Sequence, residues 1–180
     1  VGHTEQNADK NWLKIDKPIE YKDEATGSHI SILPADSFSV SVSIDFNSPL
    51  LPPQTASLED INAYDKEISA ARTFVFVREI EPLLSYGLIK GGDLDNAVVI
   101  YDKETSQESL DKLCKLTNAE SHYSKHLGYI QHKPLVWENE PARHKLLDVI
   151  GDLSLVGRPF LGHIIASKPA HTVNNKFARL

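Results

Sequence analysis

The sequence predicts an α+β chain, and three stretches carry that reading. Ser37-Phe38-Ser39-Val40-Ser41-Val42-Ser43-Ile44-Asp45-Phe46 alternates polar and apolar residues, the mark of a strand with one face on a core. Pro141 to Leu155 places Leu146, Val149, Ile150 and Leu153 at helical spacing, and Thr73 to Tyr101 reads as strand, helix, strand.

Taken in order, Trp12 to Ile15 and Ile19 to Tyr21 are short β-prone runs around Pro18. The polar turn Asp23-Glu24-Ala25-Thr26-Gly27 leads into His29-Ile30-Ser31-Ile32-Leu33, which predicts a hairpin. After the alternating strand, Pro49 to Pro53 breaks structure. Ser57 with Asp60 three residues on then resembles a capping box, so a helix or turn is expected to about Ala71. Thr73 to Val77 is a predicted strand, Arg78 to Tyr86 a short helix with Pro82 near its start, and Ala97 to Tyr101 a strand, which together make a β-α-β unit. Helical tendency follows at Ser109 to Leu116 and Ala119 to His126, with a strand around Gly128 to Val136. The helix over 141–155 has proline in its first turn, and Gly157 and Pro159 stop it. Phe160 to Ser167 is a near-continuous apolar strand, and Ala170 to Leu180 a final helix.

A chain of 180 residues with 41% hydrophobic content can bury a substantial core. Its net charge of -6 and scattered lysines and arginines exclude the basic stripe of a nucleic-acid surface. The single Cys114 cannot form an internal disulfide, and the first residues carry no apolar run of signal-peptide or transmembrane length, so the expectation is a cytoplasmic protein. Methionine is absent and the chain opens on Val1, which suggests a piece of a longer protein.

Within the 141–155 helix, His144, Asp148 and Asp152 recur every fourth residue and drift about 40° per step, so they form one polar stripe. A histidine and an aspartate one turn apart can offer an imidazole nitrogen and a carboxylate oxygen to one zinc ion. An arbitrary pair at this spacing is more often a surface contact worth a few tenths of a kcal/mol. Two features weigh against the surface reading. The carboxylates lie toward the helix C-terminus, where the macrodipole disfavours negative charge, and Gly151 interrupts the helix at a cost of about 1 kcal/mol relative to alanine. A bound cation would offset the first, and close approach of another segment or a ligand would account for the second. His163, in an apolar strand, is read as a hydrogen-bonded core or pocket-edge residue, and His3, His29, His122, His126 and His132 as surface or turn residues.

The string Arg143-His144-Lys145-Leu146-Leu147-Asp148-Val149-Ile150-Gly151-Asp152-Leu153, followed by Gly162-His163 and His171-Thr172-Val173-Asn174-Asn175-Lys176, resembles the UDP-3-O-acyl-N-acetylglucosamine deacetylase family. Ala71-Arg72-Thr73-Phe74, with Glu79-Ile80-Glu81, Gly87-Leu88 and Gly91-Gly92-Asp93-Leu94-Asp95-Asn96-Ala97, is similar to another signature of the same domain, in the same order. Asp45-Phe46-Asn47 with Pro49 is a third, shorter match.

The resemblance implies a two-layer sandwich of a mixed sheet against helices, with a β-α-β insert at about 73–101. It also implies that residues 1–180 are the C-terminal domain of a zinc-dependent deacetylase of lipid A biosynthesis, iron being possible in the cell. His144 and Asp148 match two metal ligands, and Lys145 a lysine that binds substrate and polarises the reacting amide. His171 matches the histidine that protonates the departing amine, and Asp152 the carboxylate that holds it. Thr73 matches an oxyanion-stabilising residue and Phe74 a substrate contact near the metal. Ile80, Ile89, Gly92, Ala97 and Val99 occupy the insert that lines an apolar passage for the acyl chain.

The family's third ligand and its glutamate base come from a preceding N-terminal domain, and no such motif occurs here. This chain alone is therefore expected to be inactive. Ala170 departs from the glycine usual before the histidine, and Leu33 stands where some relatives carry a basic residue. The long segment from Asp102 to Glu138 resembles versions fused to a 3-hydroxyacyl-carrier-protein dehydratase. Two rival readings stand beside this one: a non-catalytic domain that binds a lipid or a partner and has no metal, and a complete hydrolase with a third ligand among the local histidines.

Overall fold

The structure, a computed structural model, describes residues 12–79, 96–100, 102, 111, 115, 129–130 and 133–180. Its strands are β1 (Leu13–Lys14), β2 (Ile19–Asp23), β3 (Ser28–Leu33), β4 (Phe38–Ile44), β5 (Gln54–Leu58), β6 (Thr73–Phe76), β7 (Ala97–Ile100), β8 (Tyr129–Ile130) and β9 (Phe160–Ser167). Three α-helices are numbered α1 (Tyr64–Glu67), α2 (Glu140–Leu153) and α3 (His171–Phe177).

The main sheet runs β2-β3-β9-β4-β5, with β1 beside the start of β9. It is mixed: β9 lies antiparallel to β3 and parallel to β4. Alternation along each strand divides its two faces. Ile30, Ile32, Val40, Val42, Ile44, Leu58, Ile164 and Ala166 are buried in one core with Leu146, Val149 and Leu153 of α2 and Val173 and Phe177 of α3. Residues such as Ser39, Ser41 and His163 take the other face, where both hydroxyls lie within hydrogen-bond range of the imidazole, at 2.7 and 3.5 Å. His163 is thus a hydrogen-bonded sheet residue, as the sequence suggests. Helices α2 and α3 pack on the sheet and on each other, which gives the α+β layered arrangement expected.

A second, three-stranded sheet runs β6-β7-β8. Strands β6 and β7 are parallel, as a β-α-β unit requires, and residues 77–79 begin a helix between them. The remainder of the predicted helix to Tyr86 lies outside the described residues. Of the later helical segments, Asp111 and Lys115 are helical, whereas 119–126 lies outside the description. Strand β8, described at Tyr129–Ile130, lies within the predicted run of Gly128 to Val136, of which residues 133–136 are not strand, and it pairs antiparallel with β7.

The clearest correction concerns residues 54–58. Ser57 caps no helix; it lies in β5, paired with Ser41 of β4. Only Ala56 and Leu58 of this strand point into the core, so its apolar alternation is brief, and the preceding prolines hide it. Asp60 is the cap: its Oδ1 accepts from the Asn62 amide at 2.9 Å and starts a 3-10 turn over Ile61–Ala63, which runs into α1. Helix α2 begins one residue before the predicted Pro141, continues as a 3-10 turn over Ser154–Val156, and ends where Gly157 adopts φ 74°. That left-handed conformation favours glycine.

Gly151 differs from expectation in another way. A Cβ added there would meet no atom within 4 Å, so among the described residues no segment approaches closely enough to require glycine.

Candidate active site

Helix α2 holds His144, Lys145, Asp148 and Asp152 above the sheet because Leu146, Val149 and Leu153, on its opposite side, are sunk in the core. The polar stripe faces the start of α3 and the aromatic side of β6. His144 Nε2 lies 3.4 Å from Asp148 Oδ1. At its other nitrogen, His144 Nδ1 donates to the Ala71 carbonyl at 3.1 Å. A carbonyl can only accept, so Nδ1 carries a proton, and Nε2 is the ring nitrogen that faces the carboxylate.

That pair has the dimensions of a chelate. Donors about 2.0–2.1 Å from a tetrahedral zinc ion stand about 3.3 Å apart, and a backbone carbonyl on the far nitrogen is the usual device for orienting a ligating imidazole. Among the described residues no group of three or more His, Cys, Asp or Glu is arranged to hold a metal ion. His144 and Asp148 therefore fit two of the three protein ligands that a hydrolytic zinc site takes.

His171, the first residue of α3, brings in the second function. Its Nδ1 donates to Asp152 Oδ2 at 2.8 Å, and its Nε2 points to Asp148 Oδ2 at 3.9 Å. The ring is 63% exposed, so the cluster opens to solvent. Lys145 Nζ donates to Asp148 Oδ2 at 2.8 Å and sits 5.7 Å from the centre of the Phe74 ring. Phe74 in turn meets the His144 ring edge-on, with centroids 6.3 Å apart, and packs on Phe46 and Phe76. One aromatic wall thus backs both the imidazole and the ammonium.

Thr73 opens β6 with its side chain exposed. Ala97 and Val99 pair with Thr73 and Val75 on the sheet face opposite Phe74 and Phe76. Ile80, Ile89 and Gly92 lie outside the described residues.

What holds β6 against α2 is a buried ion pair that the sequence reading missed. Arg72 Nε and its backbone amide donate to Glu140 Oε1 at 2.8 and 3.0 Å, and Nη2 donates to Oε2 at 3.1 Å. The carboxylate also accepts from the Val136 amide at 2.7 Å. Burial pushes the Glu140 carboxyl up, but the hydrogen bonds from Arg72 and Val136 outweigh it and leave the group below its ordinary range. Arg72 is next to Ala71, so the clamp also sets the carbonyl that orients His144.

Comparison with known proteins bears on this arrangement. A family model described as UDP-3-O-acyl N-acetylglycosamine deacetylase matches residues 1–113 and 117–180. The chain belongs to this deacetylase family.

Among members of the deacetylase family, it is 58% identical over 179 residues to the "Bifunctional enzyme LpxC/FabZ" of Bacteroides thetaiotaomicron, covering 99% of this chain and 39% of that protein. It is 50% identical over 180 residues to the protein of the same name from Porphyromonas gingivalis, covering 100% and 39%. A "UDP-3-O-acyl-N-acetylglucosamine deacetylase" of Anaeromyxobacter sp. is 37% identical over 182 residues, covering 99% and 51%. The chain thus spans about two-fifths to one-half of the length of these relatives.

A second residue to which the sequence assigns no role is Asn174. It lies in the string that carries the resemblance, three residues after His171, and helical spacing alone puts it on the histidine's side of α3. Its Nδ2 donates to Asp152 Oδ2 at 2.9 Å.

Proposed function

We propose that this chain is the half of a zinc-dependent amidohydrolase that removes the N-acetyl group from UDP-3-O-(3-hydroxyacyl)-N-acetylglucosamine in lipid A biosynthesis. The observation that carries the reading is the convergence of an imidazole nitrogen, a carboxylate at chelating distance and a second, exposed imidazole near that carboxylate's other oxygen. Family membership supplies the substrate class. When bound, a zinc ion supplies Lewis-acid polarisation and acidifies water.

The chain's own residues divide the remaining work. His144 and Asp148 hold the metal, with the Ala71 carbonyl fixing the imidazole tautomer. His171 presents Nε2 toward the same centre and delivers a proton to the departing amine, while Asp152 holds its Nδ1. Lys145 pairs with Asp148 here, and in the complex it binds the substrate and polarises the amide carbonyl. Thr73 stabilises the oxyanion from the start of β6. Phe74 contacts the substrate near the metal, and Ile80, Ile89, Gly92, Ala97 and Val99 line the passage for the acyl chain.

The third ligand and the general base come from a preceding domain of the same protein, with the substrate bound between the halves. Iron is an alternative metal in the cell. A nucleotide-sugar substrate sets the reaction in the cytoplasm.

Zinc titration with a hydrolysis assay tests the reading. The expected result is weak zinc binding that His144→Ala abolishes, no hydrolysis by the 180-residue chain, and hydrolysis when the preceding half is supplied. Unchanged zinc affinity in His144→Ala would favour the metal-free binding domain. Full activity of the chain alone would favour a third ligand among its own histidines.

A further inference from the structure

Asp152 occupies the last turn of α2, where the helix macrodipole disfavours a carboxylate, yet one of its oxygens is held from two sides. His171 Nδ1 and Asn174 Nδ2 both donate to Oδ2, at 2.8 and 2.9 Å. Both donors come from consecutive turns of α3. The two differ in setting: His171 is 63% exposed, whereas Asn174 is 1% exposed.

The orientation of the Asn174 amide follows from chemistry. An ionised carboxylate can only accept, so the NH2 group must face Asp152 and the amide oxygen must face away. That oxygen is buried without a hydrogen-bond partner among the described residues. A buried amide with an orphan acceptor is a poor way to fill a core position, since leucine has the same number of side-chain heavy atoms, branched at the same carbon, and leaves nothing unsatisfied. The bond to Asp152 is what distinguishes asparagine from leucine here.

We propose that Asn174 is a positioning residue: it locks the Asp152 carboxylate in the rotamer that orients His171, and so acts on proton delivery without touching substrate or metal. The proposal rests on the deacetylase reading for its consequence in catalysis, but not for its structural content. An exposed ring tied to a single freely turning carboxylate would sample many orientations. A carboxylate pinned by a buried amide gives that ring one anchor point, and the imidazole nitrogen facing Asp148 inherits the direction.

Asn174→Leu is the discriminating variant, because it keeps the heavy-atom count and branching of the side chain, removes the donor and also removes the orphan oxygen. In a deacetylase carrying both halves, kcat is expected to fall about tenfold, the low end of the ~10- to 100-fold range for outer hydrogen-bond partners at metal sites. KM and zinc affinity should stay close to those of the unaltered enzyme. The same substitution in an Asp152→Ala background should have no further effect on kcat, since its route is gone. Equal losses in both backgrounds, or an unchanged kcat in the single variant, would overturn the proposal.

The 180-residue chain provides an arm independent of activity. The ring-proton NMR signals of His171 should move in Asn174→Leu, and should not move further when that change is added to Asp152→Ala. Identical His171 signals in the unaltered chain and Asn174→Leu would sink the proposal even if deacetylation is established. Shifted signals in a protein that deacetylates nothing would sustain the positioning role and refute only the deacetylase reading.

Discussion

Arg72 and Glu140, 68 residues apart in sequence, meet in an ion pair whose two side chains are only 8% and 1% exposed. Three donors of Arg72 reach the carboxylate, and its Nη1 and Nη2 also donate to the Lys133 and Pro134 carbonyls at 3.3 and 3.0 Å. The pair joins the first turn of α2 to the residue before β6. His144 projects one turn further along α2, and its Nδ1 reaches back to Ala71, so the clamp and the metal-facing imidazole form one mechanical unit.

Breaking the clamp should cost more than an ordinary surface change. Glu140→Gln keeps the shape of the side chain but leaves the Arg72 charge buried and uncompensated, which typically costs about 3–5 kcal/mol. Urea denaturation of the two proteins at neutral pH measures the difference. A loss under about 1 kcal/mol, the range of exposed pairs, would contradict the burial described here.

Acid should act through the same carboxyl. Its folded-state pKa lies below the ordinary 4.5, so its contribution to stability is complete above that value and is lost as pH falls through the folded pKa. The stability gap between the unaltered protein and Glu140→Gln is therefore expected to be constant from neutral pH to about 5 and to narrow below 4.5. Denaturation midpoints taken across that range check the sign. A gap that widens on acidification would mean the carboxyl's pKa is raised by folding.

Replacing His171 by alanine separates proton delivery from metal binding. In a deacetylase carrying both halves, kcat should fall by roughly 10²- to 10⁴-fold, the usual contribution of a general acid. Zinc affinity should be unchanged, since His171 Nε2 faces Asp148 Oδ2 at 3.9 Å, whereas His144 faces the other oxygen, Oδ1, at 3.4 Å. A parallel collapse of zinc affinity would make His171 a ligand and favour a metal site assembled within this chain.

Much of this architecture is legible in the sequence because local pattern and tertiary role agree. Strand β9 matches its predicted limits of Phe160 and Ser167 because an apolar run of eight between two stop signals has few alternatives in a central strand. Helix α2 is equally plain, with apolar spacing, an early proline and a glycine stop. Strand β5 is not, since its identity comes from pairing with β4 rather than from its own residues.

In the site, His144, Asp148 and Asp152 are visible as an every-fourth-residue stripe, and family resemblance supplies His171. The residues that hold these groups are harder to see. Glu140 and Arg72 need a contact across 68 positions, and Asn174 looks like any polar residue of a short helix until its amide is seen against Asp152.

The central claim is that His144 Nε2 and Asp148 Oδ1 grip one metal ion. Anomalous diffraction at the zinc edge, from crystals grown with zinc, addresses it directly. The account predicts a single strong peak about 2.0–2.2 Å from both atoms, with Lys145 displaced from the carboxylate. A peak bound elsewhere, with the His144 and Asp148 side chains still 3.4 Å apart and nothing between them, would contradict it.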